Sequence, residues 1–370
     1  MARIVVIGSF AESILNFRGS MLAEMVQRDH SVVACAPSAS IEIKDALQAM
    51  GVEYRDVQID RTGFNPIRDL QTVWRLFNLL RKIRPDIFLS YTVKPVIYGS
   101  MAAKIAGVSY IYSMITGLGY TFSREDLKVA LVNVFVRVLY RLSLKTNRSV
   151  FFQNPDDRKL FTQLGLLKNQ EQAVLINGTG VDVDFYQPAA FPEKLSFLLI
   201  ARLLKDKGLR EYSVAARIIK NKYPNISFRL VGWIDDNPTS ISESELQSWI
   251  DQGLIEYLGK LSDIRPAVAE ASVYVLPSYR EGMPRTVLEA MSMGRPVITT
   301  DVPGCRETVS DGINGFLVPV RDVAALAQAM EHFVENFDLV KKMGQQSRKI
   351  AVEKYDVRKV NAVILETMGL

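Results

Sequence analysis

Histidine and cysteine are almost missing from this chain of 370 residues, which has two of each. Cys35 and Cys305 cannot build a disulfide framework. With His30 and His332 they leave little for a four-ligand zinc site or for histidine-based acid–base catalysis. Glycine (22) and proline (15) are too few for a collagen-like or low-complexity chain, and 48% apolar with 9% aromatic residues excludes intrinsic disorder. No run reads as a membrane span. Ile105 to Ser123 is uncharged over 19 positions, but three glycines and eight hydroxyl-bearing residues interrupt it, as suits a strand followed by a loop. The opening MARIVVIGSFAES lacks the apolar length and cleavage pattern of a signal peptide. The same segment lacks the G-x-G-x-x-G fingerprint of a dinucleotide-binding dehydrogenase. The expectation is a reduced, cytoplasmic, metal-poor protein.

What is present is length enough for two or three domains and two runs of alternating strand and helix patterns. RIVVIG, SVVACA, VEYRDV, DIFLSY, SYIYSMI and SVFFQN are spaced with room for crossover helices. After the turn-rich NGTGVDVDFYQPAAFPEK the pattern restarts with LSFLLIA, ISFRLVG, IEYLG, VYVLP, PVITT and GFLVP. The expected fold class is α/β, with two Rossmann-like doubly wound domains at 1–185 and 186–370. The last helical segment has no strand left to pair with and is expected to pack back on the first domain. Ligands in such sheets bind at the carboxyl ends of the strands, so the residues there decide the chemistry.

The densest cluster is SYREGMPRTVLEAM, directly after the strand Val273 to Leu276. A glycine turn and Pro284 ahead of a helix predict an exposed helix N-terminus, whose free amides and dipole suit a phosphate. Glu281 and Glu289 lie eight residues apart, about 12 Å along a continuous helix, a separation that lets one reach a sugar ring and the other a ribose across a diphosphate. Arg202 and Lys207 follow the first strand of the second domain, and two cations there would neutralise a departing diphosphate. In the first domain Arg18 and Gly19 open or continue a helix, Lys94 offers a cation after the fourth strand, and Thr116, Gly117 and Tyr120 form a loop after the fifth. Asp182-Val-Asp184 matches the Asp-x-Asp pattern of metal-dependent sugar transfer, but it sits between the domains without further carboxylates, and no metal is expected. His30 and His332 are expected to have turn and helix-surface roles.

Net charge is +5, all of it in the first half: residues 1–185 carry 22 Lys/Arg against 17 Asp/Glu, the remainder 23 of each. Residues 61–148 hold 14 basic and 4 acidic side chains, which would attract anionic partners. Arg137, Arg141, Lys145 and Arg148 recur at helical spacing in an apolar stretch, and Arg68, Arg75 and Lys82 repeat at seven. Both stripes suit an anionic lipid surface; an ordinary solvated face over ordinary core is the competing reading.

With VFFQNPDD, NGTGVDVDFY, ARLLKDKG, SYREGMPRTVLEAMSMGRPVITTDVPGCRE and DGINGFLV in hand, the chain resembles the retaining glycosyltransferases of family 4. Their GT-B fold has two Rossmann-like domains facing a central cleft. The resemblance implies that Glu281 and Glu289 are the family's Glu-x7-Glu pair and that Arg202 and Lys207 bind the donor diphosphate, with Gly282, Met283 and Pro284 beside it. SYTVKPVIYGS, TGLG and EGMPRT resemble the branch that extends undecaprenyl-diphosphate-linked glycans, including the N-acetylgalactosaminyltransferases of bacterial N-glycosylation. Two departures stand out. No histidine is available for the first-domain position near the donor sugar, where the loop Thr116–Tyr120 is the expected substitute. Arg285 stands where many relatives have a small or aliphatic residue, and is expected to meet a charged part of donor or acceptor.

The resulting expectation is retaining, metal- and cofactor-independent transfer of a hexose, such as an N-acetylhexosamine, from a UDP-sugar to a lipid-diphosphate-linked saccharide. It would act on the cytoplasmic face of an anionic membrane, without nucleic acid. A UDP-sugar 2-epimerase of the same architecture and a non-catalytic nucleotide-sugar-binding scaffold at the membrane are the rival readings.

Overall fold

The computed structural model describes residues 1–59, 65–117, 127–235 and 237–370, the side chains of 127–133 excepted. The chain divides into two units, 1–179 with 360–370, and 180–359, so the join lies six residues before the 185/186 boundary expected from the strand pattern. The first unit contains β1 (Arg3–Ile7), α1 (Ala11–Gln27), β2 (Ser31–Ala36), α2 (Ile41–Ala49), β3 (Glu53–Asp56), α3 (Pro66–Ile83) and β4 (Ile87–Tyr91). A π-helical turn at Pro95–Gly99 leads into α4 (Ser100–Ala106), β5 (Tyr110–Ile115), α5 (Leu127–Leu144), β6 (Ser149–Phe152), α6 (Pro155–Gln163) and β7 (Ala173–Leu175). The second unit runs through β8 (Ser196–Ile200), α7 (Leu209–Lys222), β9 (Ser227–Val231), α8 (Glu243–Asp251), β10 (Glu256–Tyr257), α9 (Arg265–Ala269) and β11 (Val273–Leu276). It closes with α10 (Arg285–Ser292), β12 (Val297–Thr300), β13 (Gly315–Val318), α11 (Val323–Glu335) and α12 (Asp338–Lys354). A last helix, α13 (Val357–Met368), belongs from Val360 onward to the first unit.

Both sheets are parallel, in the orders β3-β2-β1-β4-β5-β6-β7 and β10-β9-β8-β11-β12-β13. Every strand pattern read in the sequence is a strand; β7 is an addition. The central strands are buried on both faces, which explains their unbroken apolar runs. Along β1, Ile4 and Val6 face one way, toward Leu22 of α1 and Leu47 of α2, and Val5 and Ile7 the other, toward Leu76 and Leu80 of α3. Along β8, Phe197 and Leu199 join the cluster of α7, α8 and α11, and Leu198 and Ile200 that of α9 and α10. Period-two alternation thus builds one core on each side of each sheet. On α13, Val360, Ile364, Leu365 and Met368 recur at helical spacing and enter the first unit's cluster with Ile4 and Leu22.

Helix starts follow local chemistry. The Asn65 side chain accepts from the amides of Ile67 and Arg68 at 3.2 Å and Pro66 takes the first helical position of α3. Asn154 and Pro155 do the same for α6.

Candidate functional site

In each sheet the strand order reverses at one crevice, and open α/β sheets take ligands there. In the second unit the crevice lies between β8 and β11, and the loops leaving their carboxyl ends carry the charged residues. The loop after β8 holds Arg202 and Lys207, and the loop after β11 holds Ser278 and Glu281 before α10 begins.

Close backbone approach holds these loops together. Gly208 sits at φ +71°, and a Cβ there would lie 2.1 Å from the Pro277 carbonyl oxygen. The Tyr279 amide donates to the Asp206 carbonyl at 2.8 Å. On the far side Gly304, at φ +85°, would place a Cβ 2.3 Å from the Glu281 carbonyl oxygen, and the Glu281 amide donates to the Pro303 carbonyl at 3.0 Å. Only glycine fits at either position.

Within this frame Lys207 Nζ meets Glu281 Oε1 at 2.5 Å, and Ser278 Oγ donates to the same oxygen at 2.7 Å. Desolvation pulls the Lys207 ammonium pKa down, but Glu281, with Asp206 behind it, outweighs that and holds it above the ordinary lysine value. Arg202 Nη1 pairs with Asp235 Oδ2 at 2.8 Å, in the loop after β9. Beyond the turn, Gly282, Met283 and Pro284 are buried, and no side chain caps α10 at Pro284. The Val287 amide turns back to the Pro284 carbonyl at 3.1 Å, and the N-terminal end of the helix presents the positive end of its dipole to an anion.

α10 begins at Arg285, directly after Pro284, so Glu281 belongs to the preceding turn and does not share a continuous helix with Glu289. Glu289 lies inside α10 and is buried, with its carboxylate accepting from Arg285 Nε at 2.8 Å and from Tyr186. Burial raises its pKa above the usual carboxylate range, and Arg285 opposes the rise. Arg285 therefore spends its charge on Glu289, its helical neighbour four residues on.

The first-unit candidates fall out differently. Lys94 is not an open cation: it is buried and bound to Asp69 at 2.8 Å, the partner α3 contributes. Gly19 lies in the middle of α1, away from the helix start where amides are free. Arg18 is buried with its guanidinium carbon 4.9 Å from the ring centroid of Tyr91, the last residue of β4. Thr116 and Gly117 follow the end of β5, and Tyr120 lies outside the described residues. Asp182 caps its own turn, accepting from the amides of Asp184 and Phe185, and Asp184 pairs with Arg358. His30 Nδ1 accepts from the Ala2 amide, and His332 packs its ring on Phe316.

Of the basic stripes, Arg68, Arg75, Lys82 and Arg141 are exposed on α3 and α5, and Arg137 is half-buried. Lys145 and Arg148 lie past the end of α5, so that stripe is shorter than expected; Arg148 stacks on Tyr110. Three features are not evident from the sequence. Asp235 and Tyr186 partner site residues, and their role depends on which strands become neighbours. The third is a set of exposed apolar side chains beside the cations: Ile67 (72%), Leu70 (70%) and Trp74 (65%) on α3, and Val134, Phe135, Val138 and Leu142 on α5. Among the described residues no helix is long and apolar enough to cross a membrane.

Two families match, one on each unit: a glycosyl transferase 4-like domain over residues 17–178 and glycosyl transferases group 1 over 194–336. The chain is 27% identical over 368 residues to the N,N'-diacetylbacillosaminyl-diphospho-undecaprenol α-1,3-N-acetylgalactosaminyltransferase of Campylobacter jejuni, covering 96% of this chain and 95% of that one. It is 26% identical to the Escherichia coli UDP-Gal:α-D-GlcNAc-diphosphoundecaprenol α-1,3-galactosyltransferase, over 71% and 70% of the two chains. Among solved structures, Anabaena HepE in complex with UDP superposes with a TM-score of 0.78 at 18% identity, covering all of both chains. Sucrose-phosphate synthase from Thermosynechococcus elongatus superposes with a TM-score of 0.80 at 17% identity. The fold is that of the GT-B glycosyltransferases.

Proposed function

Because the chain belongs to the glycosyltransferases and is an enzyme of that class, we propose that it moves a hexose, an N-acetylhexosamine in the first instance, from a UDP-sugar to an undecaprenyl-diphosphate-linked saccharide during bacterial glycan synthesis. The observation that carries this reading is the pairing of two cations, Arg202 and Lys207, with the uncapped start of α10 at the switch point of the second sheet. A diphosphate bound there meets positive charge where negative charge grows as the sugar leaves, the electrostatic contribution expected to dominate such a transfer. Glu281, joined to Lys207, faces the sugar side of that diphosphate, and Glu289 serves the ribose. The first unit takes the acceptor, with Arg18, Thr116, Gly117 and Tyr120 as its candidate contacts.

Two relatives named for undecaprenyl-diphosphate substrates support the acceptor class, and the family resemblance implies retention of anomeric configuration. We further assign the first unit to the cytoplasmic leaflet as a peripheral partner. Apolar side chains and arginines sharing the outer faces of α3 and α5 suit the headgroup boundary, where alkyl and aromatic groups dip inward and cations stay with phosphate.

The test is purified protein with a panel of UDP-sugars, followed for UDP release with and without lipid-linked acceptor, in EDTA. Acceptor-dependent UDP release with one preferred donor is the expected result. Interconversion of free UDP-sugars without acceptor would instead identify a 2-epimerase, and binding without turnover a scaffold.

A further inference from the structure

Both cations of the second-unit site are already paired, and they are paired in opposite directions. Lys207 bonds to Glu281, in the loop after β11, whereas Arg202 bonds to Asp235, in the loop after β9. In the sheet β9 and β11 lie on opposite sides of β8. Asp235 therefore draws Arg202 away from the β8–β11 crevice, although Arg202 remains close enough for its charge to be felt at Lys207. An arginine has five donors but one net charge. While a carboxylate at 2.8 Å holds that charge, it is not fully available to an anion in the neighbouring crevice.

We infer that Asp235 is a latch on Arg202: a positioning residue that holds the guanidinium off the diphosphate site when the site is empty, yields it when a diphosphate arrives, and reclaims it as the nucleoside diphosphate departs. The inference rests on the reading of Arg202 as a diphosphate ligand. The pair has the accessibility such an exchange requires, since the Arg202 side chain is 35% exposed and that of Asp235 16%. Ion pairs of this accessibility are weak enough to be traded for a more highly charged partner. Asp235 lies after Gly232, and the Ser240 hydroxyl donates to its backbone carbonyl at 2.7 Å, which fixes the loop that presents the carboxylate to Arg202.

Calorimetry with UDP and with uridine on the full chain tests this, using the parent, Asp235→Asn, Arg202→Ala and the double variant. Asparagine keeps the shape and the acceptor oxygen but removes the charge. The expected result is UDP binding about fivefold tighter in Asp235→Asn, the scale of one partly exposed ion pair. Uridine affinity should be unchanged, which also reports an intact fold, and the gain should vanish when Arg202 is alanine. Unchanged or weaker UDP binding in Asp235→Asn, with Arg202→Ala still weakening UDP, overturns the latch and leaves the diphosphate reading standing. UDP affinity unchanged in Arg202→Ala overturns both.

Discussion

The Lys207 ammonium pKa stands above the ordinary lysine value because two effects oppose each other: dehydration of the site favours the neutral amine, and the Glu281 carboxylate, with Asp206 behind it, outweighs that. The cationic form is the one that holds a diphosphate, so affinity is lost as pH rises through the lysine pKa. In the parent that loss lies above the ordinary lysine range. Replacing Glu281 with Gln removes the main opposing charge and leaves the dehydration, so the alkaline decline in UDP affinity should move to lower pH. Calorimetry across a pH series checks this, and coincident declines in parent and variant would show that Glu281 does not set the Lys207 charge. Lys207→Ala and Arg202→Ala should each slow turnover by roughly 10²- to 10³-fold, the scale for losing one group that stabilises developing charge; near-parent rates in both would remove them from the reaction. The places of Arg202, Lys207 and Glu281 were legible in the sequence because each follows a strand end that its neighbours announce, and that of Glu289 because it falls inside the helix that Pro284 opens. Asp235 was not legible: nothing in GWIDDNP points to Arg202, and the two meet only because β8 and β9 lie side by side.

At the level of elements, the turn that carries Glu281 is pressed against Gly304. A methyl group at residue 304 would lie 2.3 Å from the Glu281 carbonyl oxygen, at a backbone angle that costs a non-glycine residue about 1–2 kcal/mol. Gly304→Ala should therefore lower thermal stability modestly and activity strongly, by about 10²-fold if the Glu281 turn shifts by about 1 Å. Thermal melts beside rate measurements check this, and an unaltered rate would show that the turn tolerates displacement. On α3 the solvent-facing Ile67, Leu70 and Trp74 make few demands on folding, so a triple change to Ser should leave the melt unaltered. It should weaken sedimentation with anionic vesicles by about tenfold or more. Equal pelleting of parent and triple variant would leave only the arginines to explain any binding. These elements show why helical patterning is only partly readable. The α5 stretch is apolar on more than one face, and periodicity could not say which face the sheet would cover. β7 is three residues long, at the sheet edge, and adjoins a segment dense in glycine and asparagine, so neither length nor alternation signalled it.

Across the whole chain, the doubly repeated strand pattern disclosed both sheets, and the lack of a strand for the last helix to pair with pointed it back to the first unit, but the contacts that hold it there are in no local pattern. Asn361 reaches Ser20, and the Tyr112 hydroxyl donates to the Met368 carbonyl. Ending the chain at Lys359 would strip four nearly fully buried side chains, Val360, Ile364, Leu365 and Met368, from the first unit. At about 1.5–3 kcal/mol each, their loss is comparable to the entire stability of a typical domain. Such a truncation should unfold the first unit while residues 180–359 keep their hydrogen-exchange protection, and protection retained in β1 and β2 would show that α13 is dispensable. The same arrangement fixes an order of events during translation. The first sheet is complete once Leu175 has been added, yet its closing helix is made only after all of 180–359. At about 5–20 residues per second, that is a wait of roughly 10–40 s. The second unit comes from one uninterrupted stretch and can fold as it emerges, while the older half of the nascent chain still shows an open apolar seam to whatever chaperone reaches it first.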